Sequence, residues 1–204
     1  MTSWFCLVTD RHRLCSDTVA FAVARRRLVD QAKWAITSTV DLIQVREPDL
    51  EAADLATLVS DLVRLSRGSG TRVVVNDRVD VALACGADGV HLRHDSVRAE
   101  AVRTIAPAGF LVGRSVHGVA EAEEAGPVDY LIAGTVFPTS SKPRATPVLG
   151  LDGLAEIVQA VAVPVLGIGG MTRERLDEVA AIGAAGVAGV GLFIDWFDRH
   201  ETPS

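Results

Sequence analysis

Apolar residues come in short runs, and each run ends in one or two polar residues or glycines before a helical stretch begins. Phe5-Cys6-Leu7-Val8 is the first expected strand, with Thr9-Asp10 at its end, and residues 19–36 follow with helical character. Residues 40–47 read as the second strand. Pro48 and Asp49 close it and are expected to cap the next helix, where Leu55, Leu58, Val59, Leu62 and Leu65 recur at three- and four-residue steps as one buried stripe. Val73-Val74-Val75 is a third strand ending in Asn76-Asp77, and Asp77 reads as the N-cap of a helix through Ala84. Residues 86–92 give a fourth strand, followed by a helix from Asp95-Ser96 to Ile105. Residues 110–116 give a fifth with His117 at its end, then a short Ala/Glu helix.

The sixth strand, residues 128–134, leads into Phe137-Pro138-Thr139-Ser140-Ser141-Lys142-Pro143-Arg144. This is the longest stretch without helical pattern, of the kind that usually carries function. A helix over residues 151–161, a strand ending at Ile168, a helix over 173–182 and a strand ending at Val190 complete the chain. The last two strands each run into glycine, Gly169-Gly170 after one and Gly191 after the other. Glycine amides at a helix start can approach an anion closely, so this pair is expected to form a phosphate cup. Strands alternating with helices and no linker-like stretch predict a single (β/α)8 barrel spanning residues 1–204. A doubly wound open sheet is the rival, but it usually places a phosphate turn after the first strand, where this chain has Thr9-Asp10-Arg11.

Composition narrows the picture. Hydrophobic residues make up 49% and aromatic residues only 5%, which favours a core of Val, Leu, Ile and Ala in buried parallel strands. The net charge of −6 gives no support for nucleic acid or anionic membrane as a partner, so a phosphate site needs its positive charge locally. The cluster Arg25-Arg26-Arg27 is expected to be a solvated helix face whose stems cover apolar surface. Cys6, Cys15 and Cys85 lack ligand spacing, and the N-terminal apolar run stops at Asp10, too short for a signal or a span. A cytoplasmic protein is expected, with self-association left open.

In a barrel of this kind the active site lies at the C-terminal ends of the strands. Position alone then selects Asp10, Gln44, Arg46, Asn76, Asp77, His117, Thr139 and Lys142. Arg46 and Lys142 can hold an anion, and Gln44 and Asn76 can orient a heteroaromatic ring or bridge phosphate oxygens. His117 is the natural proton carrier of the set. His91 and His94 lie nearby without a third ligand spaced for zinc.

From Trp4 to about Phe193 the sequence resembles the thiamine phosphate synthase/TenI family of (β/α)8 barrels. The resemblance rests on Leu7-Val8-Thr9-Asp10, Ile43-Gln44-Val45-Arg46-Glu47, Asn76-Asp77-Arg78-Val79-Asp80, Gly86-Ala87-Asp88-Gly89-Val90-His91-Leu92, the stretch from Gly134 to Lys142, and Gly167-Ile168-Gly169-Gly170-Met171. It implies one of two chemistries. The synthase branch joins a pyrimidine-methyl diphosphate to thiazole phosphate with magnesium. Its diphosphate lysine is Pro48 here and its second metal aspartate is Ser96, leaving Asp77 as the metal carboxylate on that reading. The TenI branch isomerises a carboxylated thiazole phosphate without a metal and is similar at Gly113-Arg114-Ser115-Val116-His117.

The resemblance therefore leads to a thiazole tautomerase, an isomerase without a cofactor. On this reading His117 moves the proton and Gln44, Arg46, Asn76, Thr139, Ser141 and Lys142 bind a small phosphorylated thiazole. Gly169, Gly170, Gly189 and Gly191 hold its phosphate. The family's strand-eight serine is Gly191 here, and the last helix is expected to be short, with Trp196-Phe197 packing elsewhere. The alternatives are the synthase, with Mg2+, and a non-catalytic barrel that binds a thiazole or thiamine phosphate.

Overall fold

β-Branched and leucine-rich runs separated by amphipathic stretches fold as parallel strands covered by helices, since each run is apolar on both faces. In the computed structural model, which describes residues 4–15, 19–139 and 147–201, the strands close into one parallel eight-stranded barrel in sequence order. The strands are β1 (Trp4–Val8), β2 (Leu42–Val45), β3 (Arg72–Asn76), β4 (Gly89–Leu92), β5 (Leu111–Val116), β6 (Tyr130–Gly134), β7 (Val165–Ile168) and β8 (Gly186–Gly189). The helices are α1 (Arg11–Leu14), α2 (Phe21–Thr37), α3 (Ala52–Ser66), α4 (Val79–Ala84), α5 (Ala99–Ile105), α6 (Val119–Glu123), α7 (Gly150–Ala160), α8 (Leu176–Ala181) and α9 (Gly191–Glu201). Among the described residues no helix is long and apolar enough to cross a membrane.

The chain falls into two compact units. One comprises Cys6–Val90 and Val190–Ser204. Its sheet pairs Ile43 with Val73 and Leu7 with Ile43, and its core holds Leu28, Ile43, Leu58, Leu62, Val74 and Phe197, all essentially inaccessible. The other comprises Met1–Phe5 and His91–Gly189, where Arg114 pairs with Leu131 and Ala133 with Gly167 around Tyr130, Leu131, Ile132, Leu154 and Leu166. Each unit carries the same device at a strand entry. The Asp88 carboxylate accepts from the Val73 N–H at 2.7 Å while its own N–H donates to the Val73 carbonyl. Asp129 does the same to Val112, also at 2.7 Å.

Several expected element ends move. The helix after β3 starts at Val79 with Arg78 as its N-cap, because Asp77 takes a left-handed backbone (φ 61°) incompatible with capping there. The helix after β4 starts at Ala99, since Ser96 is used in a turn where its Oγ accepts from the Arg93 N–H. Asp49 does not cap α3, whose N-cap is Glu51; its carboxylate is held by Arg11 and His12 instead. The predicted helix at 173–182 divides into a 3-10 turn, Arg173–Arg175, and α8.

The structure adds detail to two expectations about the edges of the pattern. The last helix has 11 residues, and Phe197 on it is buried against Trp34 of α2, with ring centroids 5.9 Å apart. The arginine cluster on α2 is partly exposed, and its stems find partners on neighbouring helices. Arg25 pairs with Asp61 of α3, while Arg27 lies 4.5 Å over the Phe197 ring and bonds Asp198. Long cationic stems on a packed helix find acids and aromatic faces when neighbouring helices supply them.

Candidate functional site

In the first unit, polar groups gather at the ends of β1, β2 and β3. The Thr9 N–H donates to the Gln44 carbonyl, and its hydroxyl accepts from the Arg46 N–H at 2.9 Å while bonding the Glu47 carboxylate. Glu47 is buried and held by Arg11, whose N–H lies 3.1 Å from Oε1 and whose guanidinium lies 3.0 Å from Oε2. Burial raises the Glu47 carboxyl above its usual range, against the opposing bonds from Thr9 and Arg11. The same guanidinium forks onto Asp49 at 2.7 and 2.5 Å and holds that carboxyl well below the usual range. This cluster stiffens the ends of β1 and β2 and leaves Arg46 outside it. The Arg46 side chain is exposed, and among the described residues no acid pairs with it.

Beside Arg46, the Gln44 amide donates to the Asn76 side-chain oxygen at 3.0 Å. That bond fixes both amides, leaving the Gln44 carbonyl oxygen as an acceptor and the Asn76 amino group as a donor for a ligand. Asp10, expected at the rim, instead caps α1 by accepting from the Arg13 N–H. Arg11, Glu47 and Asp49 escaped the sequence reading as a cluster. A four-residue helix has no periodicity to announce it, and nothing in the spacing from Arg11 to Glu47 shows that they meet.

In the second unit, His117 follows β5 with its ring half exposed, Nδ1 3.1 Å from Glu121 and its edge toward His94 at 4.9 Å between centroids. His91 is not at a mouth at all. It is buried in β4 between Ser115 Oγ at 2.9 Å and Tyr130 Oη at 3.2 Å, and burial pushes its pKa down to about 3. Gly113 makes room for the Tyr130 ring, since a Cβ there would run into it. Arg114 donates to the carbonyls of His94, Ser96 and Val97.

Gly169 and Gly170 follow β7 with φ of 99° and 61°, which explains why glycine stands at both. A Cβ on Gly169 would meet Thr135, and one on Gly170 would lie 2.6 Å from the Pro138 carbonyl. The Gly170 carbonyl accepts from Arg175, whose guanidinium lies 4.1 Å from the Phe137 ring centroid. Two residues and a 3-10 turn separate the glycine pair from α8, so its amides face a turn before any helix begins. Gly189 ends β8 and is buried; in the first unit Gly191 opens α9 directly. Thr139 is half-buried, and Ser141 and Lys142 lie outside the described residues.

The described residues do not form a resident magnesium cage. No group of three or more His, Cys, Asp or Glu among them could hold a metal ion. The Ser96 hydroxyl is committed to its turn, and Asp95 is paired with Arg93 at 2.6 Å.

The family model described as Thiamine monophosphate synthase matches residues 6–193. A thiamine-phosphate synthase of Methanoregula boonei is 42% identical over 165 residues, 80% of this chain and 76% of that protein. One from Azorhizobium caulinodans is 37% identical over 184 residues, 89% of this chain and 82% of that protein. The solved thiamine phosphate pyrophosphorylase of Pyrococcus furiosus superposes with a TM-score of 0.77 at 30% identity, covering 98% of this chain and 97% of that one.

These relatives overturn the tautomerase reading, and with it the isomerase, because they carry the synthase name over most of the chain. The structure shows why the stretch from Gly113 to His117 misled. Gly113, Arg114 and Ser115 there serve Tyr130, a neighbouring loop and His91, so their pattern reports packing and not the reaction. Residue pattern, fold and relatives agree that the chain belongs to the thiamine monophosphate synthase family.

Proposed function

We propose that the chain is a thiamine-phosphate synthase, a transferase that joins a pyrimidine-methyl diphosphate to a thiazole phosphate. The observation that carries this reading is the 42% identity to a protein of that name over 80% of the chain. In the reaction the carbon–oxygen bond to diphosphate breaks and the diphosphate leaves with the electron pair. The thiazole supplies the pair for the new bond. Negative charge therefore grows on the leaving oxygens, where fixed donors lower the barrier most.

At the ends of β2 and β3 the available donors are the exposed Arg46 fork and the Asn76 amino group. The Gln44–Asn76 bond holds both amides in one orientation, so the Gln44 oxygen can accept from an amino group on the pyrimidine. We assign the thiazole phosphate to the main-chain amides of Gly169, Gly170, Gly189 and Gly191. His117, Thr139, Ser141 and Lys142 belong to the same substrate-binding set. Magnesium, on this reading, enters with the diphosphate substrate, and Asp77 at the end of β3 is the carboxylate that can meet it. The same proposal takes residues 1–204 as one barrel domain acting in the cytosol on small phosphorylated molecules.

The test is direct. Purified protein given both substrates and Mg2+ should form thiamine phosphate and diphosphate in equal amounts, measured by chromatography. Arg46→Ala should lower kcat/KM by about 10- to 100-fold, the range expected for a lost charge-assisted contact to the leaving group. Absence of thiamine phosphate with either substrate in excess would remove the synthase reading.

A further inference from the structure

After β7 the chain turns through Gly169 and Gly170, and the carbonyls of Ile168, Gly169 and Gly170 are each held in place. The Ile168 carbonyl accepts from the Val136 N–H at 2.8 Å, and the Gly169 carbonyl from the Phe137 N–H at 3.1 Å. The Gly170 carbonyl accepts from Nη1 of Arg175. A trans peptide is planar, so its carbonyl and the N–H of the next residue point in opposite directions. Fixing these carbonyls therefore aims the N–H groups of Gly169, Gly170 and Met171 away from those partners. Among the described residues no acceptor bonds any of the three N–H groups. Successive main-chain donors left open in this way suit an anion.

Two of the holds come from the main chain of the loop after β6, so they do not depend on any side chain. The third depends on Arg175 alone. Its guanidinium reaches back five residues to Gly170 and lies 4.1 Å from the Phe137 ring centroid, a contact that braces the fork. Gly170 is itself pressed against the same loop, since a Cβ on it would lie 2.8 Å from the Phe137 Cβ and 2.6 Å from the Pro138 carbonyl. One side chain thus joins the turn after β7 to the loop after β6, at a residue whose φ of 61° suits glycine.

We infer that Arg175 is a positioning residue for the phosphate monoester: it sets the peptide between Gly170 and Met171 and so aims the Met171 N–H at the phosphate. This rests on the synthase reading for the ligand, a thiazole phosphate, and on its assignment to the glycine turn. Arg175 acts through the peptide and not by touching the ligand. Without its bond that peptide is free to rotate, and the phosphate loses one of the donors set for it. Arg175 therefore governs the preference for the phosphorylated thiazole over its alcohol.

The experiment combines calorimetric binding, steady-state kinetics and amide NMR of isotope-labelled protein, with the thiazole phosphate and its dephosphorylated alcohol as probes. Arg175→Met keeps an apolar stem beside Phe137 and removes the donors. It should raise Kd and KM for the thiazole phosphate about 10- to 30-fold, the worth of one hydrogen bond to a charged group. The kcat, the KM for the pyrimidine diphosphate, the Kd for the alcohol and the melting temperature should stay close to wild type. Arg175→Lys should recover most of the loss, because an ammonium can still donate to the Gly170 carbonyl. In the wild type the amide resonances of Gly169, Gly170 and Met171 should all shift on adding the thiazole phosphate; in Arg175→Met the Met171 shift should disappear. An Arg175→Met protein with unchanged Kd for the thiazole phosphate and an unchanged Met171 shift overturns the inference and leaves the synthase reading intact. Equal weakening of phosphate and alcohol with a fall in melting temperature, the mark of a merely structural clasp, overturns it too. Arg175-dependent phosphate binding without turnover sustains the inference and removes the synthase reading. Wild-type protein that binds neither compound removes both.

Discussion

His91 shows how a single side chain changes meaning between sequence and structure. In the sequence it stands near the candidate site and three residues from another histidine; in the structure it is a neutral post between Ser115 and Tyr130. Its pKa falls from 6.5 to about 3 on burial, so the unfolded chain takes up a proton below pH 6.5 that the folded one refuses until about pH 3. Stability from this residue is therefore complete above pH 6.5 and is lost as pH falls toward 3, by about 1.4 kcal/mol per unit. The His91 contribution to denaturant stability should fall by about 2 kcal/mol between pH 7 and 5, read as the difference in pH dependence between the wild type and His91→Gln. Gly113 belongs to the same small assembly. Gly113→Ala forces Tyr130 aside and should cost about 1–3 kcal/mol in urea unfolding, with the His91 bond to Tyr130 broken.

At the scale of elements, the core of the pattern was legible and its edges were not. The strands were visible because runs such as Val73-Val74-Val75 are apolar on both faces, and α3 because its leucines fall on one stripe. Helix starts were missed at Asp77, Asp95 and Asp49, where a polar residue that could cap a helix is used for a turn or an ion pair. The helix α1 is too short for any periodic signal, yet it delivers both Arg11 and Arg13. Removing the Arg11 anchor tests its worth: Arg11→Met strands the buried Glu47 carboxylate and should cost about 3 kcal/mol at pH 7. Because the folded Glu47 carboxyl titrates above its unfolded value, lowering the pH toward 5 should recover part of that loss. At the other end of the chain, Phe197→Ala should cost about 3–5 kcal/mol, which a short, loosely packed terminal helix would not show.

For the molecule as a whole, the barrel and the family were readable from order and spacing, and the reaction was not. Pro48 and Ser96 stand where the synthase branch has a lysine and a metal aspartate, yet relatives at 37–42% identity carry the synthase name. A lost side chain records a weaker contact and does not by itself record a different reaction. On the proposed synthase reading, Pro48 and Ser96 predict a higher magnesium requirement, and Asp77→Asn should raise the Mg2+ concentration for half-maximal synthesis further, measured at saturating substrates. The paired aspartates Asp88 and Asp129 bear on how such a sheet is assembled. Each meets both the N–H and the carbonyl of one residue on the preceding strand, Val73 or Val112, a condition satisfied in a single alignment. A strand slipped by one residue would turn its apolar side chains to the wrong face and also leave the carboxylate without its donor. The two carboxylates thus act as proofreaders of strand alignment, one in each unit. Asp129→Ala should reveal this as slower, multiphasic refolding with a smaller loss of equilibrium stability.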